Sequence, residues 1–76
     1  MVSAYILVTT KSGAEKDVLT ALKKVPNMKN ARMLYGEYDI IAKIQLTDIA
    51  ALNEYLLANI RPISGVERTS TLIVAN

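Results

Sequence analysis

Two short stretches concentrate the groups that could do chemistry. The first is Tyr35-Gly36-Glu37-Tyr38-Asp39, where two acids, two tyrosines and a glycine sit together between apolar runs. Gly36 and Glu37 suit a hairpin tip, and Tyr35 and Tyr38 could pair across its strands. Asp39 is not something a hairpin needs: aspartate is depleted in strands, yet this one directly precedes Ile40-Ile41-Ala42. Burying an unpaired carboxylate is very costly, so Asp39 must accept hydrogen bonds or face a polar cavity. Hydrogen bonds to a charged group, worth about 1.5–3 kcal/mol each, are enough to anchor a ligand ammonium or a backbone N–H. The second stretch is Glu67-Arg68-Thr69-Ser70-Thr71, which ends in Leu72-Ile73-Val74. Its hydroxyls donate and accept without net charge, which suits a small zwitterion or a wet interface. The same residues equally suit an edge strand, where Thr is common and Arg68 discourages aggregation.

The remaining inventory excludes most catalysis. Histidine and cysteine are absent, which removes the commonest general base, thiolate metal sites and disulfides. No two carboxylates stand at a catalytic spacing, and acid–base work would fall to Asp39, Glu37 or a tyrosine without a clear partner. We therefore expect no catalytic residue, no metal site and no cofactor. Nine Lys and Arg against seven acids give a net charge of +2, too balanced for a dedicated nucleic-acid binder. Lys11, Lys16, Lys23 and Lys24 cluster around the first helix and read as a solvated face. An RNA-binding sheet would stack bases on central-strand aromatics, and only Tyr5, with Tyr38 at a strand edge, is available. No apolar run approaches a membrane span and no leader precedes the first strand, so a complete, soluble, cytoplasmic protein is expected.

These groups must be positioned by a small frame. Val2 to Thr9 is β-branched and apolar and reads as a strand. Ser12, with Glu15 three residues on, has the spacing of a capping box. Ala14, Val18, Ala21, Leu22 and Val25 make one helical stripe, and Pro26 stops it. Met28 to Tyr35 is a second strand, Gly36-Glu37 a tight turn, and Tyr38 to Leu46 a third strand. Thr47 or Asp48 caps a second helix with Ile49, Leu52, Leu56 and Ile60 in period, widened by Ala51, Tyr55 and Ala58. Arg61-Pro62 ends it, and Val66 to Ala75 is the fourth strand. The order βαββαβ, in two echoing halves, predicts one α+β domain over residues 1–76. Its fold is a ferredoxin-like sandwich: a four-stranded antiparallel sheet with two helices on one face and strands one and three central.

Apolar residues make up 51% of the chain, generous for a domain that buries only roughly 60% of its unfolded surface. On the face away from the helices Tyr5, Leu7, Ile41 and Met33 are expected, mixed with Ser3, Lys43 and Gln45. An apolar patch there marks an interface with another subunit.

The pattern G-x-Y-D (Gly36, Tyr38, Asp39), followed by G-V-x-x-T-x-T (Gly65, Val66, Thr69, Thr71) inside βαββαβ, resembles the effector domain of the Lrp/AsnC family, also called the RAM domain. The resemblance covers the whole chain. Family members carry a helix-turn-helix ahead of this domain; here the first residues already form a strand, so the chain is similar to the stand-alone forms. The resemblance implies dimers packed sheet to sheet, joined into octamers or decamers, with amino-acid effectors in clefts between dimers. It implies a ligand loop at Gly36, Tyr38 and Asp39 and partner contacts near Thr69, Ser70 and Thr71; on physical grounds we expect Asp39 to meet the ammonium, and backbone N–H groups around Gly36 with the hydroxyls to hold the carboxylate. It also implies a role in transcription regulation through mixed oligomers with a DNA-binding paralogue, without direct nucleic-acid or membrane contact. Two rival readings share the architecture: an ACT-like amino-acid-binding module of an enzyme, whose loop glycine would be Gly13, and a small dimeric α+β barrel enzyme.

Overall fold

The structure, a computed structural model, describes residues 1–75. The chain runs β1 (Val2–Thr10), α1 (Glu15–Leu22), β2 (Met28–Met33), β3 (Ile40–Leu46), α2 (Ala50–Tyr55), a π-helical turn (Leu56–Ile60) that prolongs α2, and β4 (Val66–Ile73). The strands form one antiparallel sheet in the order β2-β3-β1-β4. This is the expected ferredoxin-like βαββαβ sandwich, with β1 and β3 central.

Alternation along the central strands decides which face the helices cover. Ala4, Ile6 and Val8 of β1 and Ile40, Ala42, Ile44 and Leu46 of β3 are buried, together with Val18 and Leu22 of α1 and Leu52, Tyr55, Leu56 and Ile60 of α2 and its π turn. Cross-strand pairs Ala4–Ile44, Ile6–Ala42 and Val8–Ile40 set these side chains in rows. Burying each large aliphatic side chain contributes about 1.5–3 kcal/mol. The core is therefore aliphatic, with one phenol: Tyr55 Oη donates to the Pro26 carbonyl at 2.6 Å, and burial raises its pKa above the ordinary value.

Several local expectations change. Ser12 does not cap α1. Gly13 has φ +85 and Ala14, the N-cap residue, donates its N–H to the Lys11 carbonyl at 2.9 Å. The chain thus turns through Gly13 before the helix can begin, which leaves Ser12 too far upstream. Glu15 and Asp17 do occupy the first turn, where the helix dipole favours acids. Asp48 takes the capping role in the second helix, its Oδ1 accepting the Ala51 N–H at 3.0 Å. Ile49 precedes α2 and is exposed, and Ala58 is exposed as well. The π turn, with the Arg61 N–H bonded to the Leu56 carbonyl at 2.9 Å, widens the helical repeat at that point.

The face away from the helices carries Tyr5, Leu7 and Ile41, all partly buried, among Ser3, Lys43 and Gln45. Lys43 Nζ lies 5.8 Å from the centroid of the Tyr5 ring, and Leu72, paired with Tyr5, adds to the same side. Met33 does not belong there. It pairs with Ile40, a residue of the helix-covered face, and is 46% exposed there.

Candidate functional site

The loop that joins β2 to β3 is longer than a two-residue turn. β2 ends at Met33 and β3 begins at Ile40, so residues 34–39 form an open loop, pinned at its base by the Leu34 N–H on the Asp39 carbonyl at 2.8 Å. Gly36 stands in it with φ +136, a backbone state side chains rarely adopt. Tyr35 is fully exposed and Tyr38 partly buried, so the two do not pair across strands as a tight hairpin would require.

Asp39 ties this loop to β1. Its N–H donates to the Val8 carbonyl at 2.9 Å, and its Oδ2 accepts from the Thr10 N–H at 2.7 Å and the Thr10 hydroxyl at 3.2 Å. Of the two partners its charge could have served, a ligand ammonium or a backbone N–H, the fold supplies the backbone N–H. Thr10 is 8% exposed, so its amide lies where water is scarce and needs an internal acceptor. The acceptor is a carboxylate because the bond is then charge-assisted and short.

β4 approaches from the other side. Thr9 pairs with Arg68 but Thr10 pairs with Val66, so Glu67 is an extra residue and β4 bulges there. Beyond the bulge, Ser70 pairs with Leu7 on the open face, whereas Thr69 pairs with Val8 and Thr71 with Ile6, positions of the helix-covered face. The Thr9 hydroxyl also donates to the Arg68 carbonyl at 3.4 Å. Loop and strand together enclose a cleft of about 140 Å³ lined by Thr9, Glu37, Tyr38, Arg68, Thr69 and Ser70.

Of the six residues singled out in the sequence, Tyr38, Thr69 and Ser70 meet in this cleft. Gly36 shapes the loop, Asp39 clasps it from behind, and Thr71 is the next residue of β4 beyond Ser70; none of these three lines the cleft. Sequence reasoning missed Thr9 and Thr10. The signal for them was two hydroxyls closing an otherwise apolar strand at the end where the chain leaves the sheet. Gly65, from the second motif, has a packing role: with φ +97, a Cβ there would stand 2.9 Å from both Ala14 Cβ and Val18 Cγ2. The Gly65 carbonyl also accepts the Lys11 N–H at 2.8 Å. Gly13 is exposed at the β1–α1 turn and takes no part in the cleft.

Larger hollows exist, and one of about 350 Å³, lined by Arg61, Val66, Glu67, Arg68 and Thr69, shares Arg68 and Thr69 with this cleft. One of about 470 Å³ runs along β2 between Lys23, Lys29 and Arg32 with Met28, Asn30 and Ala31. Its cations have no acid beside them in the lining, and basic side chains on an edge strand already have a purpose in blocking strand-to-strand aggregation. Among the described residues no group of His, Cys, Asp and Glu could hold a metal ion, and no helix is long and apolar enough to cross a membrane.

Comparison with known proteins identifies the domain and its fold. Residues 3–76 match the Lrp/AsnC ligand binding domain. The chain is 38% identical over 71 residues to the HTH-type transcriptional regulator FL11 of Pyrococcus horikoshii, covering 93% of this chain and 46% of that protein. It thus spans about half the length of the curated regulators it resembles. Among solved structures it superposes on FFRP-DM1 with a TM-score of 0.90 at 36% identity, over 97% of this chain and 99% of the other. It also shares the fold of the transcriptional regulator NMB0573 of Neisseria meningitidis, solved as an L-Met complex, with a TM-score of 0.88 at 23% identity over 99% of this chain and 50% of that one. The chain belongs to the Lrp/AsnC ligand-binding domain family, a regulatory domain related to transcriptional regulators.

Proposed function

We propose that this chain is an amino-acid sensor: an oligomeric regulatory module that takes a small amino-acid effector in the cleft between the 34–39 loop and β4. The observation that carries the reading is the convergence of Glu37 and Tyr38 with Arg68, Thr69 and Ser70 around one small polar cleft. Its volume of about 140 Å³ is below the roughly 300–1,000 Å³ of drug-sized ligand pockets, which fits a single amino acid and leaves room for a neighbouring subunit to close it. The L-Met bound to NMB0573, a protein of the same fold, supports the ligand class. The apolar open face of Tyr5, Leu7, Ile41 and Leu72 supports sheet-to-sheet pairing of two copies. Effector binding would favour one assembly state over another, because a ligand shifts an equilibrium only by its difference in affinity for the two states. The output would be transcriptional, through mixed oligomers with full-length, DNA-binding paralogues such as the FL11-type regulators, rather than through catalysis by this domain.

The test is calorimetric titration of the purified protein with each of the twenty amino acids, paired with light scattering in their presence and absence. At least one should bind below millimolar concentration, with Ser70→Ala weakening it. Ser70→Ala suits this purpose better than a change at Asp39, whose carboxylate holds the loop itself. Absence of binding by all twenty would overturn the proposal.

A further inference from the structure

Resting on the reading of this cleft as an amino-acid site, we propose that Arg68 and Glu37 are its two charge clamps. Arg68 receives the effector's α-carboxylate and Glu37 its α-ammonium, which orients the amino acid with its carboxylate toward β4 and its amine toward the 34–39 loop. Neither residue is part of the G-x-Y-D or T-x-T patterns.

Charge alone nominates Asp39 for the ammonium. Asp39 Oδ2, however, accepts two bonds from Thr10, at 2.7 Å and 3.2 Å, and Asp39 is not among the residues that line the cleft. Glu37 is the one carboxylate in the lining and Arg68 the one cation. They stand on different elements, the loop and the strand, so they offer opposite charges from two walls. The other lining residues, Thr9, Tyr38, Thr69 and Ser70, all carry hydroxyls, which can donate or accept as the ligand requires. A lining of one acid, one base and hydroxyls matches a zwitterion charge for charge.

Arg68 is also aimed by the fold. The β4 bulge at Glu67 resets the strand so that Arg68 pairs with Thr9, and bulges re-aim the side chains beside them. The pairing is reinforced by the Thr9 hydroxyl on the Arg68 carbonyl at 3.4 Å. Guanidinium matches a carboxylate with two parallel N–H···O bonds, a geometry an ammonium cannot reproduce.

The experiment uses free L-alanine, L-leucine and L-methionine, each beside its carboxamide and its N-acetyl derivative, titrated calorimetrically into wild type, Arg68→Gln and Glu37→Gln. Both side chains are exposed, so the fold should survive either change; circular dichroism checks this. In wild type, blocking either end of the ligand should weaken binding about tenfold or more, because a site built to pair a polar group rejects the analogue lacking it. Arg68→Gln should largely lose the preference for acid over amide while still rejecting the N-acetyl form. Glu37→Gln should show the reverse. If amino acids bind but both variants keep the wild-type discrimination at both ends, the clamp assignment is wrong and the sensor reading stands. If none of the three probes nor any other amino acid binds wild type, both fall together.

Discussion

Replacing Asp39 with alanine should loosen the whole loop–β1 junction, and the size of the effect can be worked from the geometry. The carboxylate accepts the Thr10 N–H at 2.7 Å and the Thr10 hydroxyl at 3.2 Å. The hydroxyl can rotate to another acceptor, so its loss costs little. The amide cannot turn, and Thr10 is 8% exposed, so alanine leaves a buried donor without a partner. A hydrogen bond to a charged acceptor is worth about 1.5–3 kcal/mol; since Asp39 is itself only partly buried, roughly 2 kcal/mol is the expected loss. For a domain of 76 residues that corresponds to a fall in Tm of roughly 8–16 °C. Asp39→Asn keeps a neutral acceptor and should cost about 1 kcal/mol or less, and Thr10→Val, which keeps the amide bond, about the same. Urea unfolding followed by circular dichroism, at one fixed protein concentration because any self-association would couple to stability, measures all three. Hydrogen exchange of the Thr10 amide reads the bond directly. An Asp39→Ala protein within about 0.5 kcal/mol of wild type, with its Thr10 amide still protected, would refute the clasp.

The same geometry fixes three further outcomes. Tyr55 has its pKa raised by burial, so the folded state prefers the neutral phenol; the stability it contributes is complete below the ordinary value of 10.0 and declines as pH rises beyond it. Tyr55→Phe should cost about 1 kcal/mol at neutral pH through the lost bond to the Pro26 carbonyl, and its unfolding free energy should fall less steeply above pH 10 than that of wild type. Gly65→Ala should destabilise by roughly 2–4 kcal/mol, because positive φ and two contacts of 2.9 Å act together. Gly36→Ala meets nothing within 4 Å and should cost only the backbone strain, about 1 kcal/mol; equal losses in thermal melts would contradict that division. Leu7→Lys, at the centre of the open face, should shift light-scattering mass toward monomer while circular dichroism stays native, whereas an unchanged mass would refute pairing through this face.

Much of this molecule was legible in the order of its residues. Alternation in Val2-Ser3-Ala4-Tyr5-Ile6-Leu7-Val8 and in Ile40 to Leu46 specified two central strands and the face each would bury, because a period of two leaves one set of side chains on each side. Helical spacing located Val18, Leu22, Leu52, Leu56 and Ile60 in the core. The absence of histidine and cysteine bounded the chemistry before any fold was known. The two polar stretches meet at one end of the sheet, and the family resemblance named the right domain.

What one dimension could not carry was the partner of each polar group. Asp39 was recognisable as a residue that needed one, but whether a ligand or the chain would supply it depended on Thr10, a residue far away in sequence that only strand pairing brings to 2.7 Å. The π turn and the Gly13 turn escaped for a related reason: each shifts a helix by only one or two residues, and packing rather than propensity sets that phase. Beside the cleft, a bulge of one residue at Glu67 sets Arg68 opposite Thr9, and no residue pattern announces it. Residue types and spacing determined the frame and its polar inventory; which charges the chain itself satisfies, and which stay exposed in the cleft, was decided only by the tertiary fold, where hydrogen-bond partners distant in sequence become neighbours.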